Sequence, residues 1–189
     1  MFTYSGSKDP DWRPLQGFTP DQLPRVTRRW LLDQGSLTDR LQHKCTGAFR
    51  VQRLRQCWRI PLPSERRLLD LAGRQLALVR EVALYCEEQP WVFARSVIPA
   101  RTLTGELRHL RQLQNQSLGA LIFQDPSLGR SPFELCLLPG NSNYIEPSLQ
   151  QDSRAWARRS RFEVQGKQLL VSEVFLDAFR PWSPDAGSV

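Results

Sequence analysis

Short apolar strands that follow one another along the chain, amphipathic helices near the amino end and in the middle, and turn residues at hairpin spacing predict an α+β fold. The expected architecture is a single domain with an antiparallel sheet of about six strands. At 189 residues the chain has the size of one domain and needs neither a disulfide nor a metal to complete its core. We divide it into a loosely ordered arm over residues 1–20, the domain over 21–180 and a tail over 181–189.

Pro10, Pro14 and Pro20, with Gly6 and Gly17, leave the arm without periodicity. Over 25–33, Val26, Trp30 and Leu31 fall at helical spacing. Gly35 ends that helix, and Ser36 is placed to cap a second short one carrying Leu37 and Leu41. Over 48–60, Phe49 and Val51 alternate with polar residues, then Leu54, Trp58 and Ile60 continue in the opposite parity. This pattern describes a strand with a bulge, ended by Pro61 and Pro63. Two apolar runs joined by Glu87, Glu88, Gln89 and Pro90 form a hairpin with a four-residue connection.

After Thr102 and Thr104, Leu103, Leu107, Leu110 and Leu113 recur at helical intervals, giving an amphipathic helix. Ser117 caps another short helix, LGALIF. A strand covers 133–138, and residues 139–153, rich in Pro, Gly, Asn and Ser, read as a surface loop. A last hairpin joins 161–164 to 168–176 across Gln165, Gly166 and Lys167.

Composition narrows the class. Hydrophobic residues make up 40% and charged residues 24%, which are globular values, and no apolar run is long enough for a membrane helix. The first residues lack a basic segment followed by an apolar stretch, so a cytoplasmic location is expected. Cys45, Cys57, Cys86 and Cys136 form no CxxC pair, and His43 and His109 stand at no zinc-ligand spacing from them. Reduced, mostly buried thiols and no metal site follow. The net charge of +7 comes from dispersed basic residues with no nucleic-acid-binding signature. A solvated basic surface, or attraction of a small anion, accounts for it better than nucleic acid does.

Successive strand side chains face opposite sides, so one parity lines one face. The even set around position 80 is Leu76, Leu78, Arg80, Val82, Leu84 and Cys86. The odd set of its hairpin partner is Trp91, Phe93, Arg95 and Val97, and that of the last strand is Leu169, Val171, Glu173 and Phe175. Each apolar stripe is interrupted by one charge, which needs compensation if buried. Three readings are open: a structural salt bridge between Glu173 and one arginine, a wrong parity for one strand, or a pocket with two arginines and a carboxylate for a small anionic ring compound. Leu37 and Leu118, each following a capping serine, sit where first-turn amides attract anions.

The blocks WLLDQGSLTDRL, VREVALYCEEQPWVFARSVIP, TLTGELRHLRQLQNQSLGALIF and WARRSRFEVQGKQLLVSEVFL resemble, in order and spacing, those of the chorismate lyase family. The likeness covers roughly residues 28–178. It implies a monomer whose helical flaps enclose the site, converting chorismate to 4-hydroxybenzoate and pyruvate without a cofactor, for ubiquinone or plastoquinone synthesis. It places product binding on Arg80, Glu173, Leu37 and Leu118, with Arg95 as a further substrate-binding arginine and Glu173 and Arg80 as catalytic. The family's methionine at the first flap is Leu37 here, a volume-conserving change. A ligand-sensing domain of a transcription regulator is the main rival, and the roughly 20 residues before the first helix are too few for a DNA-binding helix-turn-helix.

Overall fold

Strands apolar in both parities must be covered on both faces, and this chain covers its sheet twice. The computed structural model describes residues 9–182. Its strands are β1 (Arg13–Pro14), β2 (Phe49–Arg59), β3 (Ala77–Cys86), β4 (Gln89–Pro99), β5 (Gly129–Arg130), β6 (Glu134–Leu138), β7 (Ala155–Val164) and β8 (Lys167–Phe175). They form one antiparallel sheet in the order β1-β6-β7-β8-β4-β3-β2, with β5 pairing β7. The six expected strands are present; β1 and β5 are two-residue additions too short to leave a periodicity.

The bulge expected in β2 is a register shift between Arg53 and Arg55. The β3–β4 hairpin is tighter than expected. Cys86 pairs with Gln89 across Glu87 and Glu88, and Glu87 takes a φ of 55° to close the turn. In the β7–β8 hairpin, Gln165 and Gly166 have φ of 52° and 70°, the left-handed pair whose twist matches the flanking strands. β7 starts six residues earlier than the hairpin alone suggests.

One face of the sheet is covered by α1 (Arg25–Leu31), α2 (Leu37–Lys44), a 3₁₀ helix (Gly105–Gln112) and α4 (Leu118–Ile122). The leucines of the 3₁₀ segment are buried as expected, although its turns are tighter than those of the predicted α-helix. Two apolar clusters form there. Trp30, Leu31, Leu41, Leu84, Phe133, Phe175 and Phe179 pack at one end, and Leu78, Ile98, Leu103, Leu110, Leu118, Ile122 and Phe162 at the other.

The opposite face is covered by α3 (Pro63–Leu68) and by the 139–153 segment, where Tyr144, Ile145 and Leu149 are buried against Phe93, Ala157 and Val174. That segment is therefore part of the core and not only a surface loop. α3 is unmarked in the sequence because Pro63, which stops the strand, also starts the helix at its first position.

The arm is docked from Asp9 onward. Asp9 Oδ2 accepts from the Ser64 amide at 2.7 Å, and β1 pairs with β6. Residues 1–8 of the arm and 183–189 of the tail lie outside the described residues. The cysteine expectation also needs correction: Cys45 and Cys86 form a disulfide, their Cα atoms 5.5 Å apart, while Cys57 and Cys136 are free. The end of α2 passes over the end of β3, a juxtaposition that a separation of 41 residues does not reveal.

Candidate active site

Residues paired across antiparallel strands share a face. Arg80 pairs with Ser96, and Glu173 pairs with Ala94 on one side and Arg158 on the other. All of these stand on the face covered by α2 and α4. The gap between the two apolar clusters is a cavity of about 40 Å³, and its lining includes Arg80, Ser96, Glu173, Arg130, Leu37 and Leu118.

Arg80 is 1% exposed. Its Nη2 donates to the carbonyls of Gln116 at 2.6 Å and Gln114 at 3.0 Å, in the segment leading to α4. Its Nε is buried without a partner, and no carboxylate pairs with it among the described residues. Burial, reinforced by the charge of Arg53, lowers the guanidinium to about 10, so it is still a cation at neutral pH.

Glu173 is held by a different arginine. Arg158 Nε donates to Glu173 Oε2 at 2.6 Å, and Arg158 Nη1 donates to the carbonyls of Trp30 and Asp33 at 2.8 and 2.9 Å. This pair fixes the carboxylate at the chamber wall, while Arg158 Nη2 is buried without a partner. Arg130 enters from β5. Its guanidinium carbon lies 4.0 Å from the Phe133 ring centroid and 4.7 Å from that of Phe162. Its Nε donates to Ser160 Oγ at 2.8 Å, and its Nη1 donates to the Gln34 carbonyl at 3.1 Å.

Above the sheet the two capped helices meet. Ser36 Oγ accepts from the Asp39 amide at 3.3 Å and Ser117 Oγ from the Ala120 amide at 3.1 Å, as the serine positions predict. Thr38 Oγ1 and Ser117 Oγ share a hydrogen bond of 2.7 Å. The first turns of α2 and α4 therefore close the chamber together, with first-turn amides not committed to intrahelical bonds.

Arg95 is elsewhere. It pairs with Glu81 and Ser172, which places it on the opposite face from Arg80 and Glu173. There it is 1% exposed and donates to Glu65 Oε1 at 2.7 Å and Glu81 Oε1 at 2.5 Å. Burial opposes its charge, but the two carboxylates outweigh that and hold it charged above the ordinary arginine range. The expectation that Arg95 shares the chamber is thus corrected. The odd-numbered set of β4 faces away from the site, and the register turns Ala94 and Ser96 towards it.

The same rule that marked Glu173 finds Arg158, because Arg158, Ser160, Phe162 and Val164 form the chamber-facing set of β7. It goes unnoticed only because the strand starts earlier than the hairpin signal. Arg130, on a two-residue strand, carries no periodic signal at all.

Fold and site together define a single-sheet α+β domain with a buried, cation-rich chamber suited to a small organic anion and closed by two short helices. The model of the chorismate lyase family matches residues 12–185. The chain belongs to the chorismate lyase family. A probable chorismate pyruvate-lyase of Nitrosospira multiformis is 38% identical over 170 residues, covering 88% of this chain and 92% of that one. One from Marinobacter nauticus is 45% identical over 149 residues, covering 79% and 75%. Among solved structures, the effector domain of PhnF from Mycobacterium smegmatis superposes with a TM-score of 0.56 at 12% identity, over 77% of this chain and 91% of that one. A second PhnF C-terminal domain gives 0.57 at 11% identity, over 77% and 93%. These two share the fold.

Proposed function

We propose that this chain removes pyruvate from chorismate in the chamber under α2 and α4, leaving 4-hydroxybenzoate, the ring precursor of ubiquinone. Membership of the family supports the reaction, and one observation supports the place. Arg80 is a buried cation with no carboxylate partner, in the same chamber as Glu173. A benzoate-type carboxylate would supply the acceptor that its Nε lacks, and charge-assisted bonds of that kind are the strong ones.

Chorismate is a cyclohexadiene with a ring carboxylate, a ring hydroxyl and an enolpyruvyl ether that carries a second carboxylate. The bond between the ring carbon and the ether oxygen breaks, and its electron pair leaves with the enolpyruvyl oxygen. The hydrogen on the hydroxyl-bearing ring carbon is lost as the ring becomes aromatic. The departing methylene gains a proton and becomes the methyl of pyruvate. Aromatisation supplies much of the driving force, so the protein orients the substrate, excludes water and balances its charge. No step calls for a cofactor.

In this reading Arg80 and the first-turn amides near Leu37 and Leu118 hold the ring carboxylate, and Glu173 contacts the ring hydroxyl. Arg158 keeps Glu173 in place for that contact. Whether Glu173 carries the proton or orients an intramolecular hydrogen shift is decided by Glu173→Gln: lost turnover with retained product binding supports proton transfer, and full activity rules it out. The chamber's closure by two helices also supports inhibition by 4-hydroxybenzoate, with opening rather than chemistry limiting turnover. A monomer acting in the cytoplasm fits this assignment. Among the described residues no helix is long and apolar enough to cross a membrane.

The test is to mix the protein with chorismate, without metal or nucleotide, and measure 4-hydroxybenzoate and pyruvate, which should form in equal amounts. Binding of chorismate with no turnover would instead favour a sensor, the role in which this fold also occurs.

A further inference from the structure

A dianionic substrate in a dry chamber needs two positive charges, and the Arg80 assignment answers only one of them. Arg95 and Arg158, both buried, and Arg130, which is half-buried, are the candidates. Arg95 lies on the wrong face, between Glu65 and Glu81. Arg158 is neutralised by Glu173 and donates to two carbonyls besides. Arg130 remains: it lines the same cavity as Arg80 and Glu173, and no carboxylate lies within ion-pair distance of it among the described residues.

We propose that Arg130 binds the enolpyruvyl carboxylate of the substrate, the carboxylate that leaves with pyruvate. This rests on the assignment of the chamber as the chorismate site. Arg130 is built for the task. Phe133 and Phe162 pack against its guanidinium plane, Ser160 takes Nε and the Gln34 carbonyl takes Nη1, while Nη2 has no hydrogen bond among the described residues. A guanidinium fixed on one side by rings and on one edge by acceptors presents its remaining donors in a set direction, which is how arginine recognises a carboxylate. The charge count agrees. Arg158 and Glu173 cancel, and Arg80 and Arg130 leave two positive charges for two negative ones. Burial lowers Arg130 to about 10, and the charge of Arg158 adds to this, although Glu173 and Asp33 act to raise it.

The two carboxylates give a test that separates this proposal from a merely structural role. The product keeps the ring carboxylate and has lost the other. In Arg130→Met, which preserves the stem packed between the rings, the KM for chorismate should rise by about 10- to 100-fold, while the dissociation constant of 4-hydroxybenzoate stays within about twofold of the original. Arg130→Lys, which keeps the charge but not the fork, should recover part of the loss. Arg80→Gln should weaken substrate and product together. An unchanged KM in Arg130→Met overturns the proposal, and so does a parallel loss of product binding, which would mark Arg130 as a scaffold residue. If the unaltered protein binds 4-hydroxybenzoate but does not act on chorismate, the assignment of the chamber fails, and the inference with it, in a way distinct from either result.

Discussion

Arg80 and Arg95 are both buried arginines on neighbouring strands of one hairpin, yet their surroundings assign them opposite work. Arg95 is clamped by two carboxylates, so replacing it leaves Glu65 buried without a counter-charge and Glu81 with only Arg55, 3.9 Å away. We expect Arg95→Met to cost about 3–5 kcal/mol of stability, read from urea unfolding, with 4-hydroxybenzoate affinity unchanged in the folded fraction. A stable variant with weakened binding would restore Arg95 to the substrate. Arg80→Ala should do the reverse, losing product binding at a smaller stability cost, since the site already leaves its Nε without a partner. The lowered values of Arg80 and Arg130 also set a pH limit. As pH rises past about 10 towards the ordinary arginine range, the folded chain binds fewer protons than the unfolded one, so their desolvation penalty is largest below pH 10 and is relieved above it. Anion affinity runs the other way. Benzoate, which has no phenol to titrate, should bind equally well from pH 7 to about 9 and weaken as pH rises through about 10, measured by tryptophan fluorescence. Binding that is undiminished beyond that range would show that the Arg80 guanidinium keeps its proton there.

The two flap helices work as elements because each is too short to be stable alone and each depends on its cap and its neighbour. Thr38 and Ser117 join them directly across the chamber mouth. Thr38→Val keeps the shape and leaves Ser117 as a cap, but removes that bond. The expected result is faster release of 4-hydroxybenzoate by several-fold in stopped-flow experiments, with stability changed by about 1 kcal/mol or less. Unchanged release would place the barrier in some other movement. At its other end α2 is tied to β3 by Cys45 and Cys86. Closing a loop of this length stabilises a chain by about 2–4 kcal/mol. Cys86→Ser should show that loss without reductant, whereas with reductant present the parent should fall to the variant's level. Equal stability in both conditions would mean that the bridge does not form in solution.

Seen as a whole, the sheet carries a band of charge across its middle on both faces, flanked by apolar clusters. On one face the band closes on itself: Arg95 with Glu65 and Glu81, and Arg159 with Glu134. On the other it is left with an excess of cations around a cavity. The closed face holds the fold and the open face takes the ligand. Anion binding should therefore stabilise the whole domain. At a hundredfold excess of 4-hydroxybenzoate over its dissociation constant, the linkage is worth about 2.7 kcal/mol, which corresponds to a rise in Tm of about 5–10 °C for a chain of this size. Arg80→Ala should abolish the rise.

Alternation along the strands, the capping serines and the hairpin turns were enough by themselves to determine an antiparallel α+β domain, two capped helices and the single charges at Arg80 and Glu173, because those are local properties of backbone periodicity. Local pattern could not decide which charge faces which. The face on which Arg95 stands depends on the register of β3 against β4, a single-residue slip of which exchanges the two faces. The partnership of Arg158 with Glu173 needs two strands brought together, the arrival of Arg130 needs β5 laid against β7, and the meeting of Cys45 with Cys86 needs a helix end to cross a strand end. These are contacts between segments distant in the chain, and burial, which turns a surface arginine into an anion site, exists only once the tertiary structure has formed.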